Sequence, residues 1–221
     1  MSFVVTIDGP AASGKTSVSR ELARRLKWKW VSTGAFYRGL AYAANASMLN
    51  LQDEDAVARL AASNEWSVKM DIDQTRVFFR TKDVTDDLNA EQVGGAASIV
   101  SQFPKVRQTL LPLQRACWDQ KSGLIAEGRD CGTVVFPSAV IKIYLTARSQ
   151  DRATRRAKDE GKSVDSIQEA QRQRDQQDQG RAVAPMQAAK DAHVVDTSDM
   201  GFEEVVDLLE SLVRTAMNRS Q

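Results

Sequence analysis

Residues 3–16 read Phe-Val-Val-Thr-Ile-Asp-Gly-Pro-Ala-Ala-Ser-Gly-Lys-Thr. An apolar run with strand character over 3–7 passes directly into Gly9-x-x-x-x-Gly14-Lys15-Thr16, and a helical pattern opens at 15–26. Strand, glycine-punctuated loop and helix in that order form a phosphate-binding loop, or P-loop. Two glycines let the backbone turn so that its N–H groups face inward and form a nest for phosphate oxygens. The helix after the loop presents the positive end of its dipole to the same anion. Gly9, Pro10, Ala11, Ala12, Ser13, Gly14, Lys15, Thr16 and Ser17 are therefore the expected triphosphate-binding set. Lys15 serves as a point charge on the outer phosphates, and the Thr16 hydroxyl as a Mg²⁺ ligand.

The remainder alternates strands and helices, which predicts an α/β chain with a parallel sheet. Val18, Leu22 and Leu26 make an apolar stripe on helix 15–26. A short strand over 27–31 leads through 32–38 into an alanine-rich helix that runs to about 46, with Thr33 or Ser32 as its N-cap. Another helix is expected over 53–62. Alternation at Trp66, Val68 and Met70, a turn at 71–74 and a second β-rich run over 76–80 predict an antiparallel hairpin. Helical spacing returns over 85–103 and is stopped by Pro104; a helix over 105–120 contains Pro112, where a kink or break is expected. Residues 123–132 read as a strand that ends in charged residues and glycines, with Arg129 and Asp130 at that end, and 140–145 as a mainly apolar strand. Helices at 149–160 and from 163 or 165 to 179, a strand over 192–196 and an amphipathic helix over 201–217 complete the chain.

Composition bounds the rest. With 221 residues, 42% apolar and 27% charged, the chain suits one globular domain. A net charge of +1 argues against a nonspecific grip on nucleic acid or an anionic membrane. Cys117 and Cys131 have neither metal nor redox spacing, which fits a reducing cytoplasm. No signal peptide or membrane span is visible. His193, the single histidine, opens a short strand and reads as structural. Arginines, in contrast, recur where a parallel sheet gathers ligands: Arg38, Arg129, Arg152, Arg156, Arg174 and Arg181. Arginine stays charged and forks onto phosphate oxygens, so such a cluster suits transfer of a phosphoryl group between two polyanions.

These stretches resemble bacterial cytidylate kinases, within the nucleoside monophosphate kinase superfamily. The resemblance is carried by 7–15, by Thr33-Gly-Ala-Phe-Tyr-Arg38, by Ala96-Ala-Ser98 with Phe103-Pro-Lys-Val-Arg107, by Glu127-Gly-Arg-Asp-Cys-Gly-Thr-Val-Val-Phe-Pro137 and by Arg181-Ala-Val-Ala-Pro185. It implies a P-loop NTPase-type parallel sheet flanked by helices, with a small antiparallel β insert at about 60–88 and a helical lid at about 148–170, in one domain spanning 1–221. It implies ATP-dependent phosphorylation of CMP and dCMP with Mg²⁺, by a monomer in the cytoplasm. Thr33, Tyr37, Arg38, Ser98, Arg107, Arg129, Asp130, Arg174, Asp178 and Arg181 are then the CMP side. Within it, Ser98, Arg107 and Asp130 read the base, and Arg174 and Asp178 the sugar. Arg152 and Arg156 belong to the lid, one over adenine and one on the moving phosphate. Lys15, Arg129, Arg156 and Arg181 are the catalytic set. Gln176 and Gln177 replace charged residues common in the family, and Glu127 stands where Asp is common. The rival readings are a kinase of the same fold for UMP or shikimate, and a nucleotide-switch module without catalysis.

Overall fold

The structure, a computed structural model, describes residues 3–71, 74–161 and 163–219. Five strands form the main sheet: β1 (Val4–Asp8), β2 (Lys29–Ser32), β6 (Leu124–Gly128), β7 (Ile141–Thr146) and β8 (His193–Asp196). Their order is β2-β6-β1-β7-β8, and every pairing is parallel. The chain leaves central β1 toward β2 on one side and later crosses to β7 and β8 on the other. The carboxyl end of β1 is thus the topological switch point, where α/β sheets collect ligands. The P-loop lies there because β1 runs straight into it.

The central strands β6, β1 and β7 are buried on both faces, as expected where helices cover a parallel sheet, whereas the edge strand β8 leaves His193, Val194 and Asp196 exposed. Val5, Ile7, Ile125 and Ile143 pack with Val18 and Leu22 of α1 (Lys15–Leu26) and with Val205, Leu209 and Val213 of α8 (Phe202–Arg219). On the other face, Val4, Leu124 and Ala126 meet Leu40 of α2 (Gly34–Ala46), Val57 of α3 (Glu54–Ala61), Val100 of α4 (Glu91–Val100) and Leu110 of α5 (Pro104–Arg115). A fully buried leucine or isoleucine contributes about 1.5–3 kcal/mol, so these two layers hold the sheet and the loop at its edge. A second, antiparallel sheet of β3 (Trp66–Met70), β4 (Thr75–Phe79) and β5 (Lys82–Asp83) packs on α2. Helices α6 (Ser149–Glu160) and α7 (Val164–Gln179) form a hairpin around Ala153, Ala157 and Ile167.

Several local expectations change. The span 85–103 is not one helix: a 3-10 turn at Asp86–Asn89 is separated from α4 by Ala90, which is extended at φ −58° and ψ 138°. The Leu88 and Asn89 carbonyls accept from Arg38 at 2.5 Å and Arg156 at 3.0 Å instead of continuing a helix. Pro104 does not merely end an element; it occupies the first turn of α5, where its missing N–H is not needed. The helix runs through Pro112 without splitting and stops at Arg115, short of the expected 120. Thr33 stands at the N-cap of α2, but its side chain makes no cap; the hydroxyl donates to the Glu127 carbonyl at 2.9 Å. A single π turn at Cys131–Val135, unsignalled by periodicity, comes after β6. The expected turn at 71–74 includes residues 72 and 73, which lie outside the described residues.

Candidate active site

The loop geometry explains its glycines. A Cβ on Gly9 would fall 2.0 Å from the Leu145 carbonyl oxygen, so β1 and β7 can approach only over a bare Cα. Gly14 caps α1 at φ 84°, a conformation that L side chains rarely adopt. Ala12 adopts φ 54° without being glycine, at a cost of roughly 1–2 kcal/mol that the loop's bonds offset. Lys15 Nζ donates to Pro10 O at 2.6 Å and lies 3.3 Å from Ser13 Oγ. Burial, assisted by the nearby positive charge of Arg129, pushes the Lys15 ammonium down to about 7. Thr16 Oγ1 donates to Glu127 Oε1 at 3.0 Å.

At the end of β6, Asp8 holds the π turn from beneath: its two carboxylate oxygens accept the N–H groups of Cys131 at 2.8 Å and Gly132 at 2.7 Å. Burial pushes that carboxyl up to about 6, against the two bonds. Arg129 Nε donates to Asp178 Oδ2 at 2.8 Å and its Nη1 to Gly9 O at 2.7 Å. Asp178 also pairs with Arg181, so one carboxylate orients two arginines. Asp130 pairs with Arg107, and both are buried. Burial pushes the Asp130 carboxyl upward, against the pull of Arg107 and then Arg181. Arg38 is lowered to about 10, first by burial and then by Arg174, Arg129 and Arg156, so four guanidiniums converge from α2, β6, α6 and α7.

One open cleft of about 720 Å³ joins these parts. It receives Ala11 to Ser17 of the loop together with Thr33, Tyr37, Arg38, Ser98, Arg129, Asp130, Arg156, Arg174, Asp178 and Arg181. Gly9, Pro10 and Arg107 support its walls without lining it. Arg152 does not line it either; its guanidinium is bonded to Asp175 and to the Ala11 carbonyl. From α6, Arg155 lines the cleft together with Arg156, and Arg155 Nη2 donates to Thr197 O at 2.9 Å, with Met200 and Phe202 on the same wall. Sequence reasoning missed that wall, because nothing in the spacing of α6 says which of its arginines turns inward. It also missed Asp175, whose place beside the loop depends on the packing of α7. Among the described residues there is no cluster of His, Cys, Asp and Glu able to hold a metal by itself, and no helix long and apolar enough to cross a membrane.

A P-loop at the switch point of a five-stranded parallel sheet, in a cleft continuous with a second arginine-lined end, defines the class: the P-loop kinases. Solved structures of low sequence identity share the fold. A gluconokinase from Sinorhizobium meliloti superposes with TM-score 0.52 at 13% identity, covering 100% of this chain and 98% of its own. An uncharacterized protein from Eubacterium ventriosum gives 0.55 at 8%, covering 96% and 98%. The family model for cytidylate kinase matches residues 5–215. A cytidylate kinase of Bdellovibrio bacteriovorus is 56% identical, over 97% of this chain and 99% of that protein. One of Aeromonas salmonicida is 44% identical, over 93% and 91%. The chain belongs to the cytidylate kinase family.

Proposed function

We propose that the cleft carries ATP at the P-loop end and CMP or dCMP at the arginine end, and transfers the γ-phosphoryl group between them. The observation that supports this most directly is the continuity of the two ends, with Lys15 and Arg156 lining the same cavity as Arg38, Arg129 and Asp130. Family membership selects CMP over the UMP and shikimate alternatives, and a phosphotransferase over a switch module.

An oxygen of the CMP phosphate attacks the γ-phosphorus, and the bond from that phosphorus to the β–γ bridging oxygen breaks. The products are CDP and ADP. The acceptor phosphate is itself the nucleophile, so no side chain need act as a strong base, and catalysis is positioning plus neutralisation of charge. Lys15, Arg129, Arg156 and Arg181 supply the positive charge. Tyr37, Arg38, Arg129 and Arg181 hold the acceptor phosphate. Asp130 and Ser98 accept from the exocyclic amine of cytosine, and Arg107, paired with Asp130 behind the wall, orients that carboxylate toward the base. Uracil would present a carbonyl to Asp130, acceptor against acceptor, with rejection on the order of 10²-fold. Arg174 and Asp178 face the sugar, and Thr33 the acceptor end.

Thr16 and Glu127 present two hard oxygen donors 3.0 Å apart at the mouth of the loop, a donor set that suits Mg²⁺. Bound there, Mg²⁺ would neutralise the β- and γ-phosphate oxygens. The lid is the segment at about 148–170, made of α6 and the first part of α7, the sheet β3–β5 belongs to the acceptor-side insert at about 60–88, and closure excludes water from the transfer. The chain acts as a monomer on small nucleotides, in the cytoplasm, without nucleic acid. The test is ADP formation from ATP and Mg²⁺ with CMP, dCMP, UMP or AMP as acceptor. Fast turnover with the cytidine nucleotides alone is expected; equal rates with UMP would overturn the base-reading roles, and no turnover with any acceptor would overturn the kinase reading.

A further inference from the structure

Asp175 takes no part in the chemistry proposed for the cleft, yet it is buried and makes two directed bonds, one to the P-loop and one to α6. Its Oδ1 accepts the Ala11 N–H at 3.0 Å, and its Oδ2 accepts from Arg152 Nη1 at 2.7 Å. The same Arg152 nitrogen donates to the Ala11 carbonyl oxygen at 2.8 Å, and Arg152 Nε donates to Ala147 O at 3.2 Å. Both main-chain groups of one loop residue are thus held by one ion pair, with one partner on α6 and the other on α7. Gln171, one turn earlier on α7, donates to the Arg152 carbonyl at 3.4 Å and ties the two helices at the same level.

Stability alone does not account for this arrangement. A buried ion pair gains little net energy, because the desolvation of both charges offsets their attraction. Charge-assisted bonds with fixed geometry do supply direction. Direction matters because the neighbours of all three residues belong to the cleft. Ala11 is succeeded by Ala12 in its left-handed conformation and then by Lys15. Arg152 is succeeded on α6 by Arg155 and Arg156, and Asp175 comes after Arg174 and before Asp178 on α7; these four residues line the cleft. A slip of the pair would move the guanidiniums and the loop relative to each other.

We propose that Arg152 and Asp175 are a positioning pair for phosphoryl transfer. By gripping Ala11 from both sides they set the register between the P-loop and the α6–α7 hairpin, and so the place of Arg155 and Arg156 against the triphosphate and of Arg174 at the acceptor end. Arg152 acts through the loop. This rests on the reading of the cleft as a CMP kinase site.

The experiment compares wild type, Asp175→Asn, Arg152→Ala and the double variant, with CMP as acceptor and with ATP or GTP as donor. Hydrogen exchange at the Ala11 amide is followed by NMR in each. Expected is a fall in kcat of about 10²-fold, similar for both donors, as a misplacement near 1 Å produces. KM for CMP and for the donor stays within about threefold. The double variant is no slower than the worse single one, and Ala11 exchanges faster in both Asp175 backgrounds. Unchanged kcat per folded molecule would overturn the proposal, as would a loss in Arg152→Ala that appears in KM for ATP and spares GTP, since that marks direct contact with adenine. If Asp175→Asn fails to fold, Asp175→Glu takes its place: it keeps the charge and shifts the grip by one methylene, and full activity there would likewise overturn the proposal. Wild type inactive on every acceptor would instead overturn the kinase reading, while the Ala11 exchange data still report on the grip.

Discussion

Arg107 on α5 and Asp130 at the end of β6 are joined in a buried ion pair, and the Arg107 guanidinium lies 5.4 Å from the centroid of the Tyr37 ring. Asp130 also lines the cleft, whereas Arg107 stands behind it. The pair therefore presents a carboxylate whose orientation is already set before a ligand arrives. Replacing Asp130 by Asn leaves the shape and puts an amide where the carboxylate accepted. We expect kcat/KM for CMP to fall at least about 10²-fold and the preference over UMP to shrink by a similar factor. Steady-state rates with both acceptors check this. An unchanged CMP-to-UMP ratio would remove Asp130 from base reading.

Lys15 links nucleotide binding to pH. In the free enzyme its ammonium is held near 7 by burial, with Pro10 O and Ser13 Oγ as neighbours. A triphosphate favours the charged form, so the pKa rises on binding and a proton is taken up above pH 7. Affinity for ATP should then be greatest below pH 7 and weaken as pH rises from 7 toward 9, by up to about tenfold per unit. Calorimetric titration in buffers of different ionisation enthalpy measures the uptake. In Lys15→Met that uptake should vanish, with kcat lower by about 10²–10³.

The contact between Thr16 and Glu127 predicts a shared metal function. Glu127→Gln and Thr16→Ala should each raise the Mg²⁺ concentration for half-maximal rate by about tenfold or more. Because the two groups bond each other at 3.0 Å, their effects should not add in the double variant. Removal of Mg²⁺ by a chelator should stop turnover in the wild type without lowering its melting temperature. Additive effects of the two substitutions would argue for separate roles.

Gly9 gives a steric prediction. An added Cβ would meet a main-chain oxygen of Leu145 at 2.0 Å, and Gly9 itself is at φ 149°. A backbone atom cannot rotate away, so Gly9→Ala should destabilise the fold by about 3 kcal/mol or more and abolish ATP binding. Gly201, with nothing within 4 Å of its added Cβ, provides the comparison, and Gly201→Ala should stay within about 0.5 kcal/mol. Denaturant melts of the two variants settle the contrast.

Much of the architecture was legible because it rests on local pattern. The strand into Gly9-x-x-x-x-Gly14-Lys15-Thr16, the switch to alternation at Trp66, and the apolar run ending at Arg129 and Asp130 are each readable from neighbours along the chain, and the elements fall within a few residues of expectation. Where the expectation failed, a distant group had intervened. Residues 85–103 keep helical spacing, but Arg38 and Arg156 take the Leu88 and Asn89 carbonyls and the helix is interrupted. Thr33 has the chemistry of a cap, but the Glu127 carbonyl claims its hydroxyl.

The sequence by itself determined the P-loop, the class of sheet, and the supply of arginines able to meet phosphate, since these depend on composition and spacing within short windows. Tertiary structure alone decided how the arginines are used. Arg152, Arg155 and Arg156 lie close together on one helix, yet the first is locked to Asp175 and Ala11, the second to Thr197, and the third to Asn89. Helical periodicity places each side chain on a face, but only the packing of α6 between the loop, α7 and the end of β8 determines what each face meets.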